Sequence, residues 1–393
     1  MTPAVKIGSA RVEGECEARF APVREVFARS FETGEIGAAV AVTIEGRPAV
    51  DLWGGHRDAA RTQPWTRDTL VNVYSTSKGI TAICANRLAE RNLLDLAAPV
   101  ADYWPEFAAV GKQRVPVRWL LSHQAGVPAL REDVPPAMRF DWKFWTEALA
   151  AEAPWWEPGT QHGYHALTFG HLVGEVVRRV DGRSLGSYFR EELSEPIGLD
   201  FHIGLAAEHD ARVAEIVPAP PSPPGAPNPF AAARKNPHSL VGRVFGNPTF
   251  ETSDVNSRAW REAELPAVNG HGTARDLARI YGALATDGVL DGERVLSPEQ
   301  IARANTEQAR GLDAVLEPLH SRFGLGFMLT QPMIPFGPNP RSFGHPGFGG
   351  SIAFADPDAR LGFAYTMNQL QTGLGGDARG FALIGALYQA LRT

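Results

Sequence analysis

One short stretch, Asn72-Val73-Tyr74-Ser75-Thr76-Ser77-Lys78-Gly79-Ile80, constrains this chain more than any other part of it. An extended apolar run ends before it, and a run of helical composition, residues 80–89, follows it. Serine and threonine at such a junction are typical caps of helix N-termini. A cation in the first helical turn faces the positive end of the helix dipole, which is unfavourable by about 0.3–1 kcal/mol. The sequence nevertheless places Lys78 there.

Lys78 is one of five lysines, and Ser75-x-x-Lys78 is the only serine–lysine pair with this spacing. Residues three apart on a helix share a face, so the hydroxyl and the amine can come within hydrogen-bond reach. The helix start and low local polarity would lower the pKa of the lysine, and a neutral amine can take the serine proton. The backbone N–H of Ser75 could point into an oxyanion hole. The alternative is a capped surface helix with a chance lysine.

Composition narrows the class of protein. A chain of 393 residues predicts one large domain or two interlocked ones. The net charge of −6, without long blocks of like charge, favours neither a nucleic-acid nor a membrane partner. The two cysteines, Cys16 and Cys84, fit neither a metal motif nor a disulfide framework. Since no signal-peptide-like or membrane-spanning apolar run is present, the sequence predicts a cytoplasmic enzyme.

The N-terminal third predicts a helix followed by antiparallel strands. Apolar residues at helical spacing indicate a helix from about Cys16 to Glu32. Residues 36–44 and 49–55, around a glycine turn, predict a β-hairpin. This order favours an α+β layer over βαβ repeats. The chain has no G-x-G-x-x-G, Walker A or G-x-S-x-G motif, so dinucleotide binding and the α/β-hydrolase elbow lack support.

Aromatic and histidine residues of the middle third allow more than one interpretation. His123 lies where a helix runs into a glycine turn; we interpret it as structural, with a catalytic base as the alternative. A tryptophan cluster is usually core, but beside a pocket it would suit an apolar acyl or aryl group. Its members are Trp142, Trp145, Trp155 and Trp156.

Tyr164 directly precedes a predicted helix, where its phenol could project into a cleft. The nearby His162, His165 and His171 could be read as a metal set. Neither H-E-x-x-H nor a cysteine pair supports that reading, so we expect no metal and no cofactor. The proline-rich segment 217–229 is predicted to be a stiff surface loop, over the active-site mouth, rather than a linker between domains.

The final third predicts strands, a closing helix and a glycine-dense turn. Thr273 is a plausible N-cap, and the strand-like and helical runs are residues 323–330, 351–355, 361–368 and 377–391. The stretch Phe343-Gly344-His345-Pro346-Gly347-Phe348-Gly349-Gly350-Ser351 lies between the strands. Such glycine density at a strand edge indicates close backbone approach. It is either a tight loop or the source of a second oxyanion N–H, from Phe348.

Five motifs occur in one order across nearly the whole chain: Ser75-x-x-Lys78, Leu120-Leu121-Ser122-His123-Gln124-Ala125-Gly126, Tyr164-x-x, Gly272-Thr273-Ala274-Arg275-Asp276-Leu277 and His345-x-Gly347. Together they resemble the serine β-lactamase/penicillin-binding-protein family. The closest likeness is to the class C β-lactamase-related esterases called family VIII carboxylesterases.

This resemblance implies an α+β, β-lactamase/transpeptidase-like fold, in which an antiparallel sheet is flanked by helices and joined by a mostly helical domain. Residues 1–74 and 255–393 would form the discontinuous sheet domain, and residues 75–254 the helical one. The active site would lie in the cleft between them.

The resemblance also implies roles for single residues. Ser75 would be the acylated nucleophile, and Lys78 and Tyr164 would share the roles of base and proton relay. The backbone N–H groups of Ser75 and Phe348 would form the oxyanion hole. The motifs, the glycine-dense turn and the tryptophan cluster supply candidate pocket residues. These are His345, Gly347, Gly349, Gln124, Trp155 and Trp156.

Two departures from the family pattern bear on the substrate. Ala166 stands where the family usually has asparagine, and His345-Pro346-Gly347 replaces Lys-Thr-Gly. Losing a charge-assisted hydrogen bond to a substrate carboxylate costs about 1.5–3 kcal/mol. The sequence therefore predicts a carboxylesterase for small or short-chain acyl esters, with β-lactam hydrolysis at most a side activity. His345 either contacts substrate or Tyr164, or simply packs at the strand end.

Other classes stay open at this point. A β-lactamase, a D-amino peptidase or another amide hydrolase would use the same Ser75, Lys78 and Tyr164. An acyltransferase would pass the same acyl group to an alcohol or amine. A binding module without catalysis would need none of this chemistry. The physiological ester and the oligomeric state are not predicted.

Overall fold

An antiparallel sheet built from both ends of the chain organises the fold. The structure is a computed structural model that describes residues 5–7, 10–220, 235–372 and 376–392. The strands are β1 (Val5–Ile7), β2 (Ala10–Cys16), β3 (Gly37–Ile44), β4 (Arg47–Gly55), β5 (Val71–Asn72), β6 (Phe201–His202), β7 (His271–Gly272), β8 (Val289–Leu290), β9 (Glu293–Arg294), β10 (Ala309–Leu312), β11 (His320–Phe323), β12 (Met328–Leu329), β13 (Phe343–Pro346), β14 (Ile352–Asp356) and β15 (Leu361–Met367). Ten of them form one sheet in the order β1-β2-β4-β3-β15-β14-β13-β12-β11-β10.

Helices pack against this sheet, and most of them lie in the sequence between β4 and β10. The α-helices of the described residues are α1 (Ala21–Ser30), α2 (Ser77–Glu90), α3 (Val117–Leu121), α4 (Trp142–Ala151), α5 (Thr168–Asp181), α6 (Leu185–Phe189), α7 (Glu195–Ile197), α8 (Leu240–Gly246), α9 (Thr252–Val255), α10 (Arg258–Glu262), α11 (Ala274–Leu284), α12 (Pro298–Ala304) and α13 (Ala378–Arg392). No helix in these parts of the chain is long and apolar enough to cross a membrane. The described residues thus form an antiparallel sheet flanked by helices, as the sequence predicts. The division at residues 74 and 254 stays a prediction.

The centre of the sheet is buried on both faces. Strand β15 pairs with β3 over seven residues, from Leu361↔Ile44 to Met367↔Ala38. All of β15 is buried, and its sequence, Leu-Gly-Phe-Ala-Tyr-Thr-Met, does not alternate between apolar and polar residues. Gly362 faces α11, whereas Tyr365, on the opposite face, lies near Gly380 of α13. Helices on both faces explain why the strand reads as a nearly continuous apolar run.

A second, three-stranded sheet leads into the Ser75 region. Its order is β5-β7-β6, with Val71 opposite Gly272 and Asn72 opposite His271. Strand β5 ends two residues before Tyr74, so this sheet fixes the chain immediately upstream of the serine–lysine motif. The predicted change from extended chain to helix is confirmed.

Several other predictions are confirmed and three are corrected. The hairpin of β3 and β4 and the N-cap at Thr273 are present. The N-terminal helix begins at Ala21 rather than near Cys16, because residues 10–16 form strand β2, which pairs with β1 on one side and β4 on the other. The predicted strand 323–330 is two strands, since Gly326 takes a positive φ of 90° between them. The stretch 343–346 is not loop but strand β13, paired with β14.

The approach of α11 to the sheet requires glycine. A Cβ at position 362 would lie 2.3 Å from the carbonyl oxygen of Ala278 and 2.3 Å from the nitrogen of Gly282. Thr43 Oγ1 donates to the same Ala278 carbonyl at 3.1 Å, so backbone and hydroxyl fill this contact. A side chain at position 362 would force helix and sheet apart.

We therefore expect Gly362→Ala to lower the free energy of unfolding by about 1–3 kcal/mol, the usual cost of overpacking a core. The matched control is Gly385→Ala on α13, where a Cβ would have no neighbour within 4 Å. That change should stabilise the helix by about 0.5–1 kcal/mol. Urea denaturation of both variants measures the difference, and a G362A variant as stable as G385A would contradict this packing.

Candidate active site

Ser75 lies on a tight turn that leads directly into α2. Residues 74–76 form a 3-10 turn, and Tyr74 takes a positive φ of 46°, which is uncommon for a non-glycine residue. Ser77 holds this turn in place through two hydrogen bonds. Its Oγ donates to the Tyr74 carbonyl at 2.5 Å and accepts from the Gly270 N–H at 2.8 Å. Ser75 and Tyr74 are half-buried, and Thr76 is buried. The backbone next to Ser75 is thus fixed by hydrogen bonds, and Ser75 itself borders a cavity.

Lys78 is fully buried one turn further along and contacts three oxygen atoms. Its Nζ lies 3.1 Å from Ser75 Oγ, 2.7 Å from the Ala166 carbonyl and 3.0 Å from the Ala267 carbonyl. Burial lowers the pKa of Lys78 well below its ordinary value. The neutral amine can donate to both carbonyls and still offer its lone pair to the Ser75 hydroxyl. This arrangement suits a general base.

Tyr164 is buried beside the same two groups. Lys78 Nζ lies 4.8 Å from the centroid of its ring. Burial raises the pKa of the Tyr164 phenol, and a hydrogen bond with Ser75 opposes that rise. The phenol is therefore protonated at neutral pH and adjoins Ser75, where it can pass a proton. The structure thus brings Ser75, Lys78 and Tyr164 together, as the sequence predicts.

Phe348 faces Ser75 from a second turn. Residues 348–350 form a 3-10 turn after β13, and the Phe348 ring meets the Tyr74 ring edge-on, with centroids 5.4 Å apart. Ser75 lies within the 3-10 turn of residues 74–76, and Phe348 begins the 3-10 turn of residues 348–350. Both residues line the same cavity. The role of their backbone N–H groups as oxyanion donors stays a prediction.

A serine joins the two turns. Ser351 Oγ donates to the Val73 carbonyl at 2.8 Å and lies 3.3 Å from Thr76 Oγ1. A Cβ at Gly347 would lie 2.1 Å from Ser351 Oγ and 2.3 Å from the Val73 oxygen. The glycine-dense stretch therefore marks a close backbone approach, here between the end of β13 and the chain at the turn of residues 74–76.

A cavity of about 710 Å³ opens beside Ser75. Ala166, Leu167, Val244, Phe245, Phe250, Trp260, Val268 and Leu370 form much of its apolar wall. Among the described residues that line it, Glu251 is the single acidic one, and no lysine or arginine occurs. Ala219 and Pro220, at the start of the proline-rich segment, also border it. Residues 221–229 of that segment lie outside the described residues, so its role as a cover stays a prediction.

None of the six predicted pocket residues is among the described residues that line the cavity. Trp155 donates to the Ala129 carbonyl at 2.9 Å, and Trp156 packs edge-on against His165, with ring centroids 5.9 Å apart. Gln124 donates to Ser122 Oγ at 2.7 Å. The tryptophans thus serve packing on the far side of the Tyr164 segment.

The other three predicted pocket residues adjoin the site from within the fold. Gly347 and Gly349 are buried at close contacts, and a Cβ at Gly349 would lie 2.3 Å from the Leu370 side chain. His345 is buried, with Nδ1 2.7 Å from the Pro346 carbonyl oxygen and its ring centroid 6.0 Å from that of Tyr164. Burial lowers the pKa of His345 to about 3, so the imidazole is neutral at pH 7. His345 packs beside Tyr164 rather than lining the cavity.

The four histidines that the sequence offers as a catalytic base or metal ligands contact neighbouring residues of the fold. His123 Nδ1 accepts from the His165 N–H at 3.1 Å, which confirms its structural interpretation. His162 Nε2 lies 2.9 Å from Ser321 Oγ, His165 Nδ1 lies 2.7 Å from the Gly163 oxygen, and His171 stacks on Trp145. The described residues contain no group of three His, Cys, Asp or Glu side chains arranged to hold a metal.

The cavity wall was not predicted from the sequence. Val244 and Phe245 lie on the short helix α8, Phe250 on a loop and Trp260 on α10. These brief elements all lie within residues 240–262, far from Ser75 along the chain. No periodic pattern could have joined them to Ser75.

Comparison with known proteins confirms the predicted β-lactamase/transpeptidase-like α+β fold. Residues 20–386 match the family model described as Beta-lactamase. The chain is 39% identical over 365 residues to the esterase/beta-lactamase LipL of Mycobacterium tuberculosis (strain ATCC 25618 / H37Rv), an alignment that covers 92% of this chain and 83% of that protein. A family VIII carboxylesterase structure is 45% identical, with a TM-score of 0.89, covering 96% of this chain and 99% of that one. A penicillin-binding protein homologue from Caulobacter crescentus is 42% identical, with a TM-score of 0.88 and the same coverage.

The chemistry of Lys78 predicts a pH dependence. Labelling of Ser75 by a fluorophosphonate should slow as the pH falls through the lowered pKa of Lys78, because an ammonium cannot accept the serine proton. Lys78→Met should slow labelling by about 100-fold or more above the lowered pKa of Lys78, where the wild type has a neutral amine, and should remove this pH dependence. Lys143→Met, at an exposed lysine, is the matched control and should label like the wild type. K78M labelling at the wild-type rate would exclude Lys78 as the base.

Proposed function

The chain belongs to the Beta-lactamase family as a carboxylesterase-like serine hydrolase, and we propose that its substrates are small or short-chain acyl esters without charge. The observation that carries this proposal is the apolar wall beside Ser75, which has no lysine or arginine among its described residues. An ester without charge needs no cation there. Short acyl groups and an apolar alcohol part both fit a cavity of about 710 Å³.

In the proposed acylation, Ser75 Oγ attacks the ester carbonyl carbon while Lys78 takes the hydroxyl proton. The carbonyl oxygen becomes an oxyanion that accepts hydrogen bonds from the N–H groups of Ser75 and Phe348. As the intermediate collapses, the bond to the alcohol oxygen breaks and Tyr164 donates a proton to it. Tyr164 regains its proton from Lys78, since both side chains adjoin Ser75.

Deacylation reverses these roles. A water molecule gives a proton to the neutral base and attacks the acyl carbon of the Ser75 ester. The second tetrahedral intermediate expels Ser75 Oγ, which recovers its proton from the Lys78–Tyr164 pair. Water has then supplied the hydroxyl of the released acid, and the base is neutral again. Two moderate barriers replace one high barrier, which is the general benefit of covalent catalysis.

The charge distribution argues against a carboxylate-bearing β-lactam as the main substrate. The family's Lys-Thr-Gly cation is absent, and the imidazole of His345 is neutral because burial lowers its pKa to about 3. Losing a charge-assisted contact of about 1.5–3 kcal/mol lowers affinity by about one to two decades. Glu251 adds a negative charge to the cavity lining.

β-Lactam hydrolysis is the second candidate, because the relative that is 39% identical is named both esterase and beta-lactamase. Acyl transfer to an added alcohol uses the same acyl-enzyme and is separated from hydrolysis by product analysis. A cytoplasmic location stays a prediction from the sequence.

The direct test compares p-nitrophenyl butyrate with nitrocefin. The wild type should hydrolyse the ester rapidly and nitrocefin slowly or not at all, and Ser75→Ala should abolish both by removing the nucleophile. Ser253→Ala, at an exposed serine, is the control and should retain full activity. Rapid nitrocefin turnover would favour the β-lactamase, and full esterase activity of S75A would place the nucleophile elsewhere.

A further inference from the structure

Asp313, one residue after β10, is a buried carboxylate outside the cavity with four hydrogen-bond donors. Its Oδ1 accepts from the backbone N–H groups of Tyr164 at 2.9 Å, Val315 at 2.9 Å and Leu316 at 3.0 Å. Its Oδ2 accepts from Ser321 Oγ at 2.7 Å. Two of these donors cap a local turn. The bond to Tyr164 instead spans 149 residues of sequence.

A second connection ties the same two segments together. Ser321 Oγ also lies 2.9 Å from His162 Nε2, and the His162 carbonyl accepts from the Ala314 N–H at 3.0 Å. Asp313, Ser321 and His162 are all buried. The chain around Tyr164 is therefore held at residues 162 and 164 by one network.

Tyr164 needs such an anchor because residues 161–165 belong to neither helix nor strand. No regular hydrogen-bond ladder fixes its backbone, yet its phenol must stay beside Ser75 and Lys78. A misplacement of about 1 Å in a catalytic group can lower the rate about 100-fold. A buried carboxylate is costly unless its donors are in place, so this network has one well-defined geometry.

We propose that Asp313 is a positioning residue that holds Tyr164 in its catalytic place through the backbone N–H of Tyr164. The inference rests on the proposed role of Tyr164 as proton relay. Asp313 touches neither the cavity nor Ser75 in the described contacts, so it acts through Tyr164 alone.

The charge of Asp313 works in the same direction. It raises the pKa of the Tyr164 phenol further, and so favours the protonated form. The other titratable groups that face this ring are Lys78 at 4.8 Å, His123 at 5.2 Å and His345 at 6.0 Å from its centroid. Burial lowers the pKa of both of these imidazoles, which are therefore neutral at pH 7.

The test is a double-mutant cycle on p-nitrophenyl butyrate hydrolysis with Asp313→Ala, Tyr164→Phe and the double variant. Asp313→Ala should lower kcat by about 10- to 100-fold with little change in KM, because the phenol and not the binding site is displaced. In the Y164F background the same change should cost less than about twofold, since no phenol remains to position. Asp313→Asn should recover part of kcat, because its amide oxygen can still accept from the Tyr164 N–H.

Asp356→Asn is the matched control. Asp356 is equally buried and accepts from the backbone N–H groups of Asp358 and Ala359 at the far end of β14. The D356N variant should have the kcat of the wild type. All variants are assayed at a temperature at which thermal denaturation shows them to be folded. If D313A does not fold, D313N replaces it in both backgrounds of the cycle.

Any one of the following results would overturn the proposal. Equal loss of kcat from the Asp313 change in both backgrounds would show a general structural role, and an unchanged kcat would show no role. Full activity of Y164F would refute the proposed relay and this inference together. Inactive Y164F with wild-type D313A would leave the proposed function standing and refute only the role of Asp313.

Discussion

Lys78 carries its amine into a fully buried position, where it meets the Ser75 hydroxyl and the carbonyls of Ala166 and Ala267. An ammonium without partners would be costly at this depth. The two carbonyls come from segments 88 and 189 residues away along the chain, so the site exists only when the whole fold is formed. The burial that lowers the pKa of Lys78 is thus a property of tertiary structure. The helix spacing only brings the two side chains within reach of each other.

The backbone around Ser75 depends on the same long-range assembly. Val73 N–H donates to Gly270 at 2.9 Å, and the Val73 carbonyl accepts from Ser351 on the other side. Val73, directly before the turn of residues 74–76, is therefore bonded to one segment that precedes α11 and to one that follows β13. The turn at Phe348 is braced in turn by Arg379, which donates to the Gly349 carbonyl at 3.1 Å and pairs with the buried Glu35 at 3.0 Å. The proposed oxyanion donors are thus held by hydrogen bonds to other parts of the fold, which would preorganise them.

The parts of this structure that could be predicted from sequence are those with local causes. The hairpin of β3 and β4, the turn and helix that bring Ser75 and Lys78 together, and the turn at Phe348 follow from patterns within short stretches of sequence. Asp313 and the cavity wall do not, because Tyr164 and Ser75, which they adjoin, lie far away in sequence and their own segments have no period. Strand β13 was mistaken for loop because its glycines serve close packing, as at Gly344, where a Cβ would lie 2.1 Å from the Ala353 carbonyl oxygen. Composition favours Trp155 and Trp156 as pocket residues, but an aromatic cluster does not show which neighbours it packs against.

The same serine, lysine and tyrosine can open esters, amides and β-lactams, so the preference must come from the leaving group and from what holds the substrate. An alkoxide leaves more easily than an amide nitrogen, which must gain its proton in the transition state. An ester therefore needs less binding energy at remote positions to reach that state. A cavity whose described wall is apolar, with a neutral His345 behind Tyr164, supplies little such energy to a carboxylate. An enzyme that has lost the anchor but kept the nucleophile can still act on the substrates that need the anchor least, and these are uncharged esters.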